Sequence, residues 1–500
     1  MTPTAERTRP GLAGGRLVRV SATRAGAAVL LAGPTVLAFF AGGYFDEPRA
    51  WAGLVAWALV AVGLIAGSPA IPRGLGGRLA LIGVGLLAAW TLASLGWAPI
   101  AGSAYHAAQI AFLYFGALLA AVLLLRERPL LRAVEPALAL GTLIVIGYGL
   151  SERLLPGLLQ FARSVSAQGR LEQPLTYWNA MGEEAALGFV LCARLAGDAT
   201  RPRPLRVAAA CSCAPLGMGL YVTFSRGALF ACVAGLVALI VVAPRREQLR
   251  ALLVTVCAGA LGALAAAPLG GVTGLSGQLG TRERQGAIML AALAVIVVVA
   301  ALVHWWLTGR ERAGELRLPR RAGLIATALI GAGLALAIVV GSKESGGVPI
   351  SAGAARLATV QSNRYGYWSV ALRAFAAEPV HGVGAGGWAV WWLRYRTFDD
   401  YAQDAHSLPL QTLAELGLVG AALLATFLVG VALAARDALR AVPALAAGPL
   451  AGFVVYAAHA PLDWDWQMPA VTLIAIVLAG ALVGIAEGAT APPRFAAPRG

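Results

Sequence analysis

His406-Ser407, followed by nine residues and then Gly417-Leu418-Val419-Gly420, ends a long polar stretch and opens an apolar one. A lone histidine there is suited to proton transfer, because imidazole titrates near neutrality and can take a proton from a hydroxyl. Two arginines stand out as well. Arg226, in Phe224-Ser225-Arg226-Gly227, lies between two apolar runs with almost no loop around it. A guanidinium so close to hydrocarbon is costly unless it faces a wet, paired environment, although an arginine can also snorkel to the headgroups. Arg364, in Ser362-Asn363-Arg364-Tyr365, opens an aromatic segment. Ser225, Asn363 and Asp463 are accessory candidates beside them. Read singly, His406 is a helix-start residue and Arg364 a solvated loop cation.

These residues are positioned by a chain of 500 residues, 59% apolar and 13% charged, with mean hydropathy +0.74. So little polar surface excludes a soluble globule of this size. The expected fold class is all-α, a polytopic transmembrane bundle of about 12–14 spans with a large, partly helical extracytoplasmic loop. Apolar segments fall near Ala25 to Tyr44, Ala50 to Gly67, Leu79 to Trp97, Tyr105 to Leu125, Ala133 to Leu150, Ala180 to Ala196 and Val207 to Thr223. They continue near Ala228 to Ala243, Leu249 to Pro268, Ala287 to Leu307, Ala322 to Gly341, Leu408 to Ala434, Ala441 to Ala458 and Pro469 to Ile485.

The organisation that follows is a basic cytoplasmic tail over 1–24, transmembrane helices over 25–341 with an outer loop at 151–179, and a large extracytoplasmic loop over 342–407. Transmembrane helices over 408–487 and a cytoplasmic tail over 488–500 complete it. The net charge of +15 reports orientation rather than a nucleic-acid partner. About 26 of the 39 basic residues fall in alternate loops, among them Arg73, Arg126, Arg203 and Arg245, as the positive-inside rule requires. The same alternation favours an uncleaved first span over a removed signal segment. Cys192, Cys211, Cys213, Cys232 and Cys257 are odd in number and lie in or at the edges of spans, so they read as small apolar residues. No metal is expected, because Asp463 and Asp465 lack a third ligand in the sequence.

The 342–407 loop is too aromatic for a solvated tail: Tyr365, Tyr367, Trp368, Phe375, Trp388, Trp391, Trp392, Tyr395 and Tyr401 all fall in it. The spacing predicts a helix over 363–377 and a second, amphipathic one over 387–398, with Trp391, Trp392 and Tyr395 as headgroup anchors or as a stacking surface for sugars. Gly382-Val383-Gly384-Ala385-Gly386-Gly387 mimics a dinucleotide fingerprint, but no strand precedes it, so the glycines read as a tight turn after Pro379.

Together these segments resemble the O-antigen ligase and O-antigen polymerase superfamily of membrane glycosyltransferases. The family signature of His, then Asn, Ser or Gln, nine residues and Gly-x-x-Gly is similar to His406-Ser407 through Gly417-Leu418-Val419-Gly420. An arginine, an aromatic helix and a Pro-x-x-Gly-x-Gly turn correspond to Arg364, Trp368, Pro379, Gly382 and Gly384. Ser225-Arg226-Gly227 matches a helix junction, and His459-Ala460-Pro461-Leu462-Asp463-Trp464-Asp465-Trp466 the acidic-aromatic loop before the last span. The likeness covers roughly Asn179 to Ile485.

The resemblance implies a GT-C-like, metal-independent, inverting glycosyltransferase of the bacterial cytoplasmic membrane, acting without a cofactor in cell-surface polysaccharide biosynthesis. Its partners would be a polyprenyl-diphosphate-linked glycan donor, an unidentified glycan, lipid or protein acceptor and the bilayer, with no nucleic acid. His406 would be the catalytic base and Arg226 and Arg364 would bind the donor diphosphate at the extracytoplasmic face. The alternative is a secondary transporter or lipid-linked glycan flippase, which span centres nearly free of charge and the lack of an internal repeat disfavour.

Overall fold

The computed structural model describes residues 10–311 and 362–490, with isolated positions between. Its regular structure is helical, with no strand among the described residues. The long helices are α1 (Pro10–Ala38), α2 (Asp46–Ile65), α3 (Leu75–Ala93), α4 (Ala101–Leu124), α5 (Arg128–Leu154), α6 (Trp178–Gly197) and α7 (Arg203–Val222). After them come α8 (Arg226–Val242), α9 (Arg246–Ala266) and α10 (Leu279–Gly309). Two shorter helices, α11 (Arg364–Ala377) and α12 (Gly387–Tyr395), precede α13 (Leu408–Ala441), α14 (Pro443–His459) and α15 (Pro469–Thr490). Helices prevail because in hydrocarbon each backbone N–H and C=O must be satisfied within its own segment. Thirteen of the expected apolar segments coincide with long helices, and the segment Ala322 to Gly341 lies outside the described residues. Among the described residues ten helices are long and apolar enough to cross a membrane, so the molecule is a polytopic helical membrane bundle.

Successive helices place their connections alternately at two ends. At one end Arg126 donates to the Pro69 carbonyl, Arg132 to that of Thr200, and Arg194 to that of Ala444. At the other, Tyr44 packs edge-on to Trp464, Leu171 N–H reaches Val222 O, and Ala385 N–H reaches Ser94 Oγ. The second end carries α11, α12 and the candidate site.

Helix α6 sits in the middle of the bundle, against α5, α7, α8, α9 and α14, and is buried along 179–197. That enclosure is how a membrane helix can carry Glu183, Glu184 and Arg194: they face protein rather than lipid. The widest contact joins α3 to α13, where an added Cβ on Gly83 or Gly430 would lie closer than 3.0 Å to the facing backbone. Small residues allow this approach, and close packing replaces the hydrophobic drive that lipid removes.

Helices α11 and α12 form a separate apolar cluster with the start of α13: Tyr367, Val370, Ala371, Ala374, Trp388, Trp392 and Ala414. Trp388 and Trp392 are stacked 5.7 Å apart and fully buried. The expectation that Trp392 anchors in headgroups is therefore corrected: on α12 positions 388 and 392 lie one turn apart on the inner face, so Trp392 is core. Trp391 and Tyr395, half-buried, remain on the outer side.

Candidate active site

His406 is presented by a strained turn. Its φ is +52°, a left-handed conformation that a non-glycine residue adopts only when its surroundings impose it. The surroundings are explicit. Gln411, one turn into α13, accepts from the Ala405 N–H at 3.3 Å and donates to Asp404 Oδ1 at 2.8 Å, strapping the residues on the N-terminal side of His406. Ser407, directly after it, is buried, and Leu408 N–H bonds to Ala460 O at 2.9 Å. The ring lies between Tyr367, 5.1 Å away, and Trp464, 6.2 Å away. Its Nδ1 is 2.9 Å from the Asp404 carbonyl oxygen. A carbonyl can only accept, so Nδ1 carries the hydrogen in the neutral ring and Nε2 carries the lone pair.

Arg364 opens α11 and pairs with Asp463 through Nη2, 2.5 Å from Oδ2. Asp463 is completely buried, and its other oxygen accepts from Tyr177 Oη at 2.8 Å and from the Trp464 N–H at 3.0 Å. Asn179 in turn donates to Tyr177 Oη at 2.6 Å. Burial pushes the Asp463 carboxyl up, but Arg364, with His406 and His459 facing it, holds it below the usual carboxylate range. Burial likewise lowers the Arg364 pKa, and Asp463, Tyr177 and Asp465 together more than offset this, so Arg364 ends above its ordinary value. Asp463 engages one nitrogen of a five-donor fork, which orients the guanidinium without exhausting it.

The two glycine motifs meet each other. Helix α13 breaks at Gly417, with φ +63° and ψ −161°. Into this break docks the turn after Pro379: Val383 N–H bonds to Ala414 O and Gly384 N–H to Glu415 O, both at 2.9 Å. From the other side Leu418 N–H bonds to Pro379 O at 2.9 Å and Val419 N–H to Val380 O at 3.2 Å. Any Cβ on Gly417 would lie closer than 3.0 Å to the backbone of Val380 and Gly382, and one on Gly382 would meet Glu415 and Leu416 likewise. The Gly-x-Gly turn is therefore a backbone clamp on the helix that presents His406.

Arg226 is half-buried at the first position of α8. Ser225 caps that helix by accepting from Ala228 N–H at 3.3 Å, which is a structural role. Gly227 packs on His459 and Leu462, so α8 begins against the loop that carries Asp463. Asn363 stands at the N-terminus of α11, its amide 3.5 Å from Asp400 Oδ2. The structure thus gathers His406, Arg364 and Asp463 directly, and sets Arg226 beside the same loop. Sequence reasoning missed Tyr177, Asn179, Gln411 and Glu183. For Glu183 a signal existed, since adjacent glutamates inside an apolar span demand a reason.

A groove of about 680 Å³ runs between α1, α2, α4 and α15 at this end of the bundle, lined by Leu30, Val36, Phe40, Trp51, Leu113 and Val477 among others. Its Phe40 and Glu47 rim lies next to Tyr44, whose ring touches Trp464.

What these features define first is a class, a multi-pass helical membrane protein with an aromatic, arginine- and histidine-bearing site at one end of the bundle. Residues 269–425 match a family model described as O-Antigen ligase, and the match supports placing the chain in the O-antigen ligase/polymerase-like family. The matched stretch includes Arg364, the Pro379–Gly384 turn, His406 and the Gly417–Gly420 motif, while Arg226 and Asp463 lie outside it. No curated protein matches the chain. The match supports a glycosyltransferase-like role in cell-surface polysaccharide biosynthesis.

Proposed function

We propose that the protein transfers a glycan from a polyprenyl-diphosphate lipid to an acceptor hydroxyl at the extracytoplasmic face of the bacterial inner membrane. His406 Nε2 takes the proton of the acceptor hydroxyl as its oxygen bonds to the anomeric carbon. The bond from that carbon to the diphosphate oxygen breaks, and the lipid diphosphate leaves with the electron pair. A single displacement of this kind inverts the anomeric centre. Arg226 and Arg364 stabilise the charge that develops on the leaving diphosphate, since guanidinium forks bind phosphate oxygens bidentately. Cations fixed by the protein do this without a metal at the reacting atoms. The apolar groove beside Tyr44 suits the isoprenoid chain.

The observation that carries the proposal is the His406 hydrogen bond to the Asp404 carbonyl, which leaves Nε2 as base within one cluster with the Arg364–Asp463 pair. The test is release of lipid diphosphate by protein in nanodiscs supplied with donor and candidate acceptors. His406→Ala abolishes release while donor binding persists, and Arg364→Lys or Arg226→Lys lowers it at unchanged abundance. Wild-type turnover in His406→Ala overturns the proposal. So does movement of intact donor across the bilayer without cleavage, which is the transporter outcome.

A further inference from the structure

Three residues outside the proposed reaction converge below the site. His459 ends α14, Asp465 lies in the loop before α15, and Glu183 projects from α6. All three are at most 1% exposed. His459 Nδ1 lies 2.7 Å from Asp465 Oδ2 and 3.2 Å from Glu183 Oε2, and the three ligating atoms fall within 4.8 Å of one another. The expectation that the outer carboxylates lack a third ligand is corrected here, because folding brings an imidazole and a second carboxylate to Asp465.

Hydrogen bonds leave this cluster incomplete. One Nδ1 hydrogen can serve only one oxygen well, and Asp465 Oδ2 is the nearer. Both Glu183 oxygens and Asp465 Oδ1 are buried without a hydrogen-bond partner. Buried polar atoms are paired almost without exception, and orphaned carboxylate oxygens around a shared imidazole mark a missing water or ion. Two carboxylates and a neutral imidazole balance one divalent charge. The donor set of two oxygens and one nitrogen suits a borderline first-row cation better than magnesium, which prefers oxygen and keeps its waters. The present N···O spacings are within several tenths of an ångström of those a tetrahedral ion with ~2.0–2.2 Å bonds would impose.

We propose that Glu183, His459 and Asp465 bind one divalent cation of the zinc class as a structural tie. It would join α6, α14 and the 460–468 loop, and so fix the loop that presents Asp463 and meets Gly227. The ion would take no chemical part in the transfer reaction.

The test uses the full chain in nanodiscs, purified through a tag without histidine. Metal content is measured by elemental analysis, and thermal midpoints are read after chelator stripping and again after Zn²⁺ is returned. The expected result is about one equivalent of bound Zn²⁺ per wild-type chain and a rise in midpoint on return of Zn²⁺. Glu183→Gln and Asp465→Asn, which keep shape, should each lose the bound metal at least tenfold and show no Zn²⁺-dependent rise. Should Glu183→Gln fail to fold, Asp465→Asn carries the comparison. Less than a tenth of an equivalent in the Zn²⁺-loaded wild type, or unchanged metal in the variants, overturns the site and leaves a His459 ion pair. Metal content and the Zn²⁺-dependent midpoint read this site, whereas lipid diphosphate release in His406→Ala tests the transfer reaction separately.

Discussion

Gly417→Ala separates a backbone clamp from a merely flexible helix. At φ +63° and ψ −161° the residue occupies a region that alanine enters only at a cost of about 1–3 kcal/mol. Its Cβ would also press closer than 3.0 Å on the Val380 carbonyl and the Gly382 nitrogen, which are backbone atoms and cannot swing aside. The variant relieves this by releasing the Pro379–Gly384 turn, with loss of about 1 kcal/mol for each turn-to-helix hydrogen bond broken. A penalty of roughly 2–4 kcal/mol against the docked turn corresponds to a rise of about 30- to 1000-fold in the undocked population. Val383, 8% exposed in the docked turn, reports on it. In a Val383→Cys background, with exposed Cys257 replaced by serine, Gly417→Ala should speed thiol labelling by at least about 30-fold. Gly102→Ala, whose added Cβ would meet nothing within 4 Å, should leave the labelling rate unchanged. Labelling of the Gly417→Ala protein within threefold of its parent would refute the clamp.

Topology gives a second prediction: a cysteine at Tyr401, 85% exposed at the site end, should react with an impermeant thiol reagent in intact cells, while one at Arg440, at the opposite end, should not; the reverse pattern would place the site on the cytoplasmic side. Trp392→Ala should cost about 3–5 kcal/mol of stability in the α11–α12 cluster, read from proteolysis or the thermal midpoint, whereas the half-buried Trp391→Ala should cost much less; equal effects would mean that Trp392 is not core. Because Asp463 is held below the usual carboxylate range, its pairing contributes stability that is complete above the unfolded value of ~3.9 and is lost as pH falls below it. The midpoint difference between wild type and Asp463→Asn should therefore be constant from pH 5 to 8 and shrink below about pH 4, and a difference that vanishes by pH 6 would contradict the pairing with Arg364.

Much of the bundle is legible from hydropathy, because the bilayer requires long apolar helices and tolerates little else. The alternation of arginines across connections survives in the same way: Arg126, Arg132 and Arg194 bond at one end of the bundle, while His406 and Arg364 lie at the other. The helix starting at Arg364 and the turn after Pro379 are also readable, from an aromatic helical spacing and from glycines with no strand before them. Trp392 was misread because periodicity identifies a face but not which way it points. In an outer subdomain with its own core, the aromatic face turns inward onto Tyr367 rather than to lipid.

The sequence by itself determined the polytopic helical class and the order of the helices, because composition and hydropathy carry those directly, whereas His406, Arg226 and Arg364 stand out as a site only through the family resemblance and their roles are proposals. Tertiary structure alone decided the pairings: Asp463 with Arg364 across 99 residues, Tyr177 with Asp463 across 286, and the Pro379 turn docked into the break at Gly417. It also placed Glu183 against His459 and Asp465. The physical reason is that a buried charge is tolerated only beside its partner, and partners so far apart in the chain are chosen by how helices pack, which no local pattern encodes.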